Sequence, residues 1–143
     1  MKQPNLELRF GASVDPQLDD VIADNTRAYN NQFVSNAYEP CSVYVFDHSN
    51  ELIGGLTAKL FWHWMHIDYL WVKQQHRTEG LGSAILAKAE QFARQRQCVG
   101  VMLDTFSFQA QAFYQKNGFS QFGVLNDYEG GHQRFYLQKA LIG

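Results

Sequence analysis

His76-Arg77-Thr78-Glu79-Gly80-Leu81-Gly82-Ser83-Ala84-Ile85 (HRTEGLGSAI, residues 76–85) sets two glycines at the entrance to an amphipathic run. Glycine lets a backbone come close to an anion. The first turn of a helix offers unpaired N–H groups at the positive end of its dipole. Arg77 adds a fixed charge that can pair with phosphate oxygens. A P-loop needs four residues between its glycines and a lysine after the second; here one residue separates them and Ser83 follows directly. A dinucleotide fingerprint needs a third glycine where this chain has Ile85, within an early strand–helix–strand unit. Two readings remain: a pyrophosphate cradle over residues 78–83, or a turn that needs glycine only for its shape.

Downstream, Leu81, Ile85, Leu86, Ala89, Phe92 and Ala93 lie on one stripe and predict a helix ending near Arg96. Upstream, three strand-like runs (41–46, 52–62 and 65–72) are joined too closely for crossovers, which predicts an antiparallel meander. Residues 6–10 alternate and predict a first strand. Asp15-Pro16 is an N-cap with proline at the first helical position, opening a helix to about Asn31. A second short helix through Tyr38, ended by Pro40, is expected next. Beyond the glycine turn, residues 98–103 read as a buried strand and 106–117 as a helix with Gly118 past its C-cap. Residues 119–125 and 134–138 read as a closing hairpin. The order β-α-(α)-β-β-β-α-β-α-β-β predicts one α/β (α+β mixed) domain over residues 1–143. Its mostly antiparallel mixed sheet has about seven strands, with helices on both faces.

The totals narrow the function. A net charge of −2 gives no electrostatic footprint for nucleic acid. No apolar stretch approaches the roughly 20 residues that span a bilayer. The start, MKQPNLELRF, has no apolar core of a signal peptide, so a cytoplasmic location is expected. Cys41 and Cys98 match no metal-ligand spacing and suit reduced thiols there. None of His48, His63, His66, His76 and His132 forms a metal set with its neighbours, so no metal is expected.

Leu70-Trp71-Val72 followed by Arg77-Thr78-Glu79-Gly80-Leu81-Gly82 resembles the acyl-CoA-binding motif of the GNAT superfamily of N-acetyltransferases. That motif is Arg/Gln-x-x-Gly-x-Gly/Ala at the entrance to a long helix. Residues 110–119, ending Tyr114-Gln115-Lys116-Asn117-Gly118-Phe119, resemble the family's second signature, Tyr-x-Lys-x-Gly-Phe. Where many members carry asparagine seven residues before the tyrosine, this chain has Ser107.

The resemblance implies a GNAT-like fold that transfers an acetyl group from acetyl-CoA directly to a primary amine. The pyrophosphate would rest on backbone N–H groups of Thr78, Glu79, Gly80, Leu81, Gly82 and Ser83, with Arg77 alongside. The pantetheine arm would pair with the main chain of Leu70, Trp71 and Val72 like an added strand. An N–H near Val72 would face the thioester carbonyl, a contribution of about 3 kcal/mol. Ordinary core packing accounts equally for the side chains of Leu70 and Val72. Tyr114 stands at the general-acid position, and Ser107 at that of a donor contact.

An alkylamine with a pKa of about 10.4 is neutral in roughly one molecule of 2,500 at pH 7, at a cost of about 4.6 kcal/mol. A base offsets part of this. His66 and Asp68, two residues apart on one strand, are the candidates, directly or through water. The acceptor is expected to be a small molecule, with a peptide amine as the alternative. A non-catalytic acyl-CoA sensor is the rival class. The aromatic meander (Phe61, Trp62, Trp64, Tyr69, Trp71), the loop 127–132 and residues 25–39 are candidate acceptor walls, and a homodimer through a strand edge or the closing hairpin stays open.

Overall fold

The computed structural model describes residues 5–11 and 13–141. The chain divides into two compact units that meet between Asn36 and Ala37. The first carries helix α1 (Pro16–Asn30), and it opens as the sequence predicts. The Asp15 carboxylate accepts from the N–H groups of Gln17 and Leu18, and Pro16 takes the first helical position. Two expectations fail in this region. Residues 6–10 join no sheet, and residues 31–34 form turns instead of a second helix. Alternating polarity signals a half-buried face but supplies no ladder partner, and a strand forms only where one exists.

The second unit holds strands β1 (Tyr38–Phe46), β2 (Leu52–Phe61), β3 (Trp64–Val72), β4 (Gly100–Phe106), β5 (Ser120–Leu125) and β6 (Arg134–Ala140). Between them run helices α2 (Leu81–Gln95) and α3 (Gln111–Lys116). The sheet has six strands, not seven, in the order β1-β2-β3-β4-β6-β5. All pairs are antiparallel except β3 with β4, so the class is the expected mixed α/β one. Pro40 does not end a helix; it sits within β1, at the sheet's edge, where a missing N–H costs no ladder bond. Trp62 and His63 both adopt positive φ and make the two-residue β2–β3 turn, which removes Trp62 from the strand.

Inner residues of β2 (Leu56, Ala58, Leu60), β3 (Met65, Ile67) and β4 (Val101, Leu103) pack against Ile85, Leu86, Ala89 and Ala93 of α2. Phe113 and Tyr114 of α3 join the same cluster. The stripe read from the sequence is therefore the buried face of α2. Inside it lies Glu90, almost fully buried, with its carboxylate 2.8 Å from Lys139 Nζ.

A single irregularity re-aims the second half of β3. Thr57 pairs with Tyr69 but Ala58 pairs with Ile67, so Asp68 is the extra residue of a β-bulge. Before the bulge Met65 and Ile67 point to the core. After it Leu70 and Val72 do, and Tyr69 and Trp71 turn to the opposite face.

Candidate active site

The β3–β4 ladder is short. Trp64, Met65 and His66 pair with Gly100, Val101 and Met102, and the pairing stops there. From Ile67 onward β3 keeps only β2, and from Leu103 onward β4 keeps only β6. The two strands part beside the bulge and leave two facing edges.

The registers say which main-chain groups line this gap. Lys73 N–H donates to Ile53 at 2.8 Å, so 53/73 is a hydrogen-bonded pair and, by alternation, 55/71 is another. Leu70 and Val72 therefore direct their N–H and C=O groups away from β2, into the gap, whereas Trp71 spends its own on Gly55. On the other edge Ser107 N–H donates to Gln133 at 2.8 Å, and the same alternation turns the main chain of Asp104 into the gap. Of the three residues expected to pair with an extended ligand, Leu70 and Val72 turn their main chain to the gap, whereas Trp71 lies between them with its backbone used on Gly55.

The glycine turn comes directly after β3. Gln74–His76 form a single 3₁₀ turn, and Arg77 folds its Nε back onto the Val72 carbonyl at 2.9 Å. This bond orients the guanidinium beside the gap and leaves its terminal nitrogens free to meet an anion. Gly80 is the N-cap of α2 at φ 75°, a left-handed conformation that favours glycine. The first intrahelical bond runs from Ala84 N–H to Gly80 O, so the N–H groups of Leu81, Gly82 and Ser83 have no helical partner. Thr78 and Glu79 form the exposed approach, with Glu79 3.1 Å from His76.

Gly82 has a second reason to be glycine. A Cβ there would lie 3.0 Å from Phe113 Cζ. The Phe113 ring sits 5.2 Å from that of Tyr114, so the two motifs read separately in the sequence meet at this contact. Gly82→Ala is expected to push the Phe113 ring, cost about 1–3 kcal/mol by overpacking and raise the KM for acetyl-CoA severalfold. Gly80→Ala meets open space and carries only the φ penalty of about 1–2 kcal/mol. Urea unfolding paired with initial rates checks both; equal KM values in the two variants would separate Gly82 from the site.

The second signature is a helix stop. Phe119 N–H donates to Tyr114 O and Gly118 N–H to Gln115 O, both at 3.0 Å, with Gly118 at φ 95°. This is a Schellman closure, and its usual apolar contact is that of Phe119 with Tyr114, ring centroids 5.8 Å apart. The glycine and phenylalanine of the motif thus hold the tyrosine in place. The Tyr114 ring lies against the core, and its hydroxyl has no hydrogen-bond partner among the described residues. Burial, and secondarily the charge of Asp104, push the phenol above its ordinary value.

The proposed bases are less free. Lys59 is the cross-strand partner of His66, and its Nζ lies 3.2 Å from Asp68 Oδ1. His66 lines a cavity of about 380 Å³ with Phe61, Trp62, Trp64, Met102 and Phe122. Ser107 bonds His132 Nδ1 at 3.0 Å and accepts from Gln133 N–H at 3.0 Å, which ties the loop 127–132 to the end of β4.

Sequence reasoning missed Asp104 and Arg134. Arg134 Nε reaches Asp104 Oδ2 at 2.7 Å, and the guanidinium lies over the rings of Phe106 and Tyr136. No motif marks this pair, since it forms only when β4 and β6 come into register. Among the described residues no group of three or more His, Cys, Asp or Glu is placed to hold a metal ion, and no helix is long and apolar enough to cross a membrane.

Comparison with known proteins agrees with this geometry. The profile of the acetyltransferase (GNAT) family matches residues 12–119. The chain is 38% identical over 104 residues to blasticidin-S acetyltransferase of Streptomyces morookaense, covering 72% of this chain and 76% of that protein. Its fold matches the crystal structure of an acetyltransferase from Bacillus cereus ATCC 14579 with a TM-score of 0.84 and 29% identity, over 92% of this chain and 97% of the other. A proposed streptothricin acetyltransferase from Bacillus anthracis str. Ames, solved with acetyl coenzyme A, matches with a TM-score of 0.64 and 25% identity, over 77% and 66% of the chains. With a parted β3–β4 pair, a glycine turn at the head of α2 and a tyrosine locked at the end of α3, this chain belongs to the GNAT family and is an acyltransferase.

Proposed function

We propose that the protein transfers an acetyl group from acetyl-CoA to the primary amine of a small molecule. The observation that carries this reading is the gap between β3 and β4, with the glycine turn at one end and the helix of Tyr114 packed on that turn through the Gly82–Phe113 contact. The diphosphate of the donor rests on N–H groups within residues 78–83, chiefly those of Leu81, Gly82 and Ser83, since Glu79 N–H donates to the His76 carbonyl, with Arg77 anchored alongside by Val72. The pantetheine arm pairs with the outward main-chain groups of Leu70, an unsatisfied stretch of strand edge, while the Val72 carbonyl accepts from Arg77 and its N–H stays open to the ligand. Val72 N–H then faces the acyl carbonyl as an oxyanion donor.

The amine nitrogen bonds to the acyl carbon, the carbon–sulfur bond breaks, and the departing thiolate takes the phenolic proton of Tyr114. The amine gives up its own proton to His66 or Asp68 through water. Relatives named as acetyltransferases of blasticidin S and streptothricin support a small-molecule acceptor. The apolar cavity beside His66 favours one whose amine is carried on an apolar body.

CoA-thiol release, corrected for acetyl-CoA hydrolysis without amine, tests the reading with blasticidin S, 2-phenylethylamine, spermidine and a lysine-containing peptide. Amine-dependent release is expected, fastest with a small amine bearing an apolar group. Release with the peptide alone would shift the acceptor class. None with any amine, despite tight CoA binding, would leave an acyl-CoA sensor.

A further inference from the structure

We propose that Asp104, held by Arg134, receives the acceptor amine; this rests on the protein being an amine acetyltransferase. Val101, Leu103 and Thr105 of β4 are buried, so Met102, Asp104 and Phe106 share the opposite face. Met102 makes the last rung with β3, at His66. Asp104 is the first residue on that face beyond the split, one step along the strand from the cavity wall at Met102.

The carboxylate is fixed but not used up. Arg134 Nε holds Oδ2 at 2.7 Å, while Oδ1 has no partner among the described residues. Arg134 is itself positioned by the rings of Phe106 and Tyr136, 5.6 and 5.3 Å from its guanidinium carbon, and by the Tyr128 hydroxyl at 3.4 Å. The Asp104 side chain is 23% exposed, enough to meet a ligand and sheltered enough for its charge to act strongly. Its charge, second to burial, also raises the Tyr114 phenol. Asp68, by contrast, is engaged by Lys59.

An ammonium donates to Oδ1 and is recruited by it. After deprotonation an N–H of the neutral amine keeps that bond, which leaves the nitrogen lone pair to face the gap. Asp104 is thus a specificity residue for the amine, and the base is a separate group.

A purely structural pair would also join β4 to β6, so the test must separate the two roles. In Asp104→Asn the amide oxygen still accepts from Arg134, but the charge is lost. With 2-phenylethylamine and blasticidin S as acceptors, its KM for the amine should rise about tenfold or more, while the KM for acetyl-CoA stays within about twofold. In the Asp104→Asn/Arg134→Gln double variant no guanidinium is left unpaired, and the amine KM should remain raised. A rise below about fivefold in Asp104→Asn, or a wild-type amine KM in the double variant, overturns the assignment. Should Asp104→Asn fail to fold, the double variant decides alone by the same threshold. A wild-type protein that releases no CoA with blasticidin S, 2-phenylethylamine, spermidine or the peptide removes the acetyltransferase reading, and this inference with it; an active wild type with an unaffected Asp104→Asn removes only the inference.

Discussion

Tyr114→Phe should lower kcat by about a hundredfold to ten-thousandfold while the KM for acetyl-CoA changes by less than about threefold. The substitution is clean because the tyrosine is held by its ring and its backbone. Phe113 and Phe119 pack on the ring, and the Tyr114 carbonyl accepts Phe119 N–H; phenylalanine keeps all three. The hydroxyl has no partner among the described residues, so its removal orphans nothing and stability should hold. What disappears is a proton positioned for the leaving thiolate, whose conjugate acid has a pKa of about 8.5. The pH dependence has a definite sign. Burial, then the Asp104 charge, raise the phenol above 10, so the acid form persists at any pH where a free tyrosine would still hold its proton. Wild-type kcat should therefore show no falling limb from this group below about pH 10. A Tyr114→Phe enzyme whose kcat matches wild type from pH 7 to pH 10 would take Tyr114 out of the mechanism.

Local chemistry with a fixed offset is readable in the chain. Asp15-Pro16, the α2 stripe, Gly80 at an N-cap and Gly118 after α3 each follow from what one residue can do at one position. The two signatures are readable for the same reason, since each is a loop or helix end. What long-range pairing decides is not. The sequence reads as a strand ending at 103 and a helix starting at 106, yet residues 104–106 lie in β4 because Tyr136, Phe135 and Arg134 pair with them. The bulge at Asp68 gives no sequence signal, and it is what turns Leu70 and Val72 toward the core while their backbones face the gap. Without it, residues 69 and 71 would occupy those places. Simple alternation puts His66 and Asp68 on one face; the bulge intervenes, and Lys59 reaches across to Asp68. The Asp104–Arg134 pair, thirty positions apart, depends on the β4–β6 register alone.

Gly55→Ala should be among the most destabilising small substitutions, at about 3 kcal/mol or more, with the melting temperature falling by roughly 10 °C. Gly55 lies in β2 with Tyr44 of β1 on one side and Trp71 of β3 on the other. A Cβ there would stand 2.6 Å from the Val43 carbonyl oxygen, which belongs to a ladder and cannot rotate away as a side chain would. Relief means drawing β1 off β2, and β1 carries Cys41, Val43 and Val45 against the core. The adjacent Gly54 meets the Trp71 carbonyl oxygen at 3.2 Å and Ile85 Cδ1 at 3.3 Å, a misfit of tenths of an ångström, so Gly54→Ala should cost clearly less. Urea unfolding of the two variants ranks them, and an equal or reversed order would show that β1 yields more easily than its packing implies. The same strain reaches the active site. Trp71 is hydrogen-bonded to Gly55 and separates the two residues whose outward main-chain groups face the gap, so a displaced β2 shifts Leu70 and Val72 together. Gly55→Ala should therefore raise the KM for acetyl-CoA at temperatures well below its own melting point, whereas a substitution that only loosened the core would leave that KM unchanged.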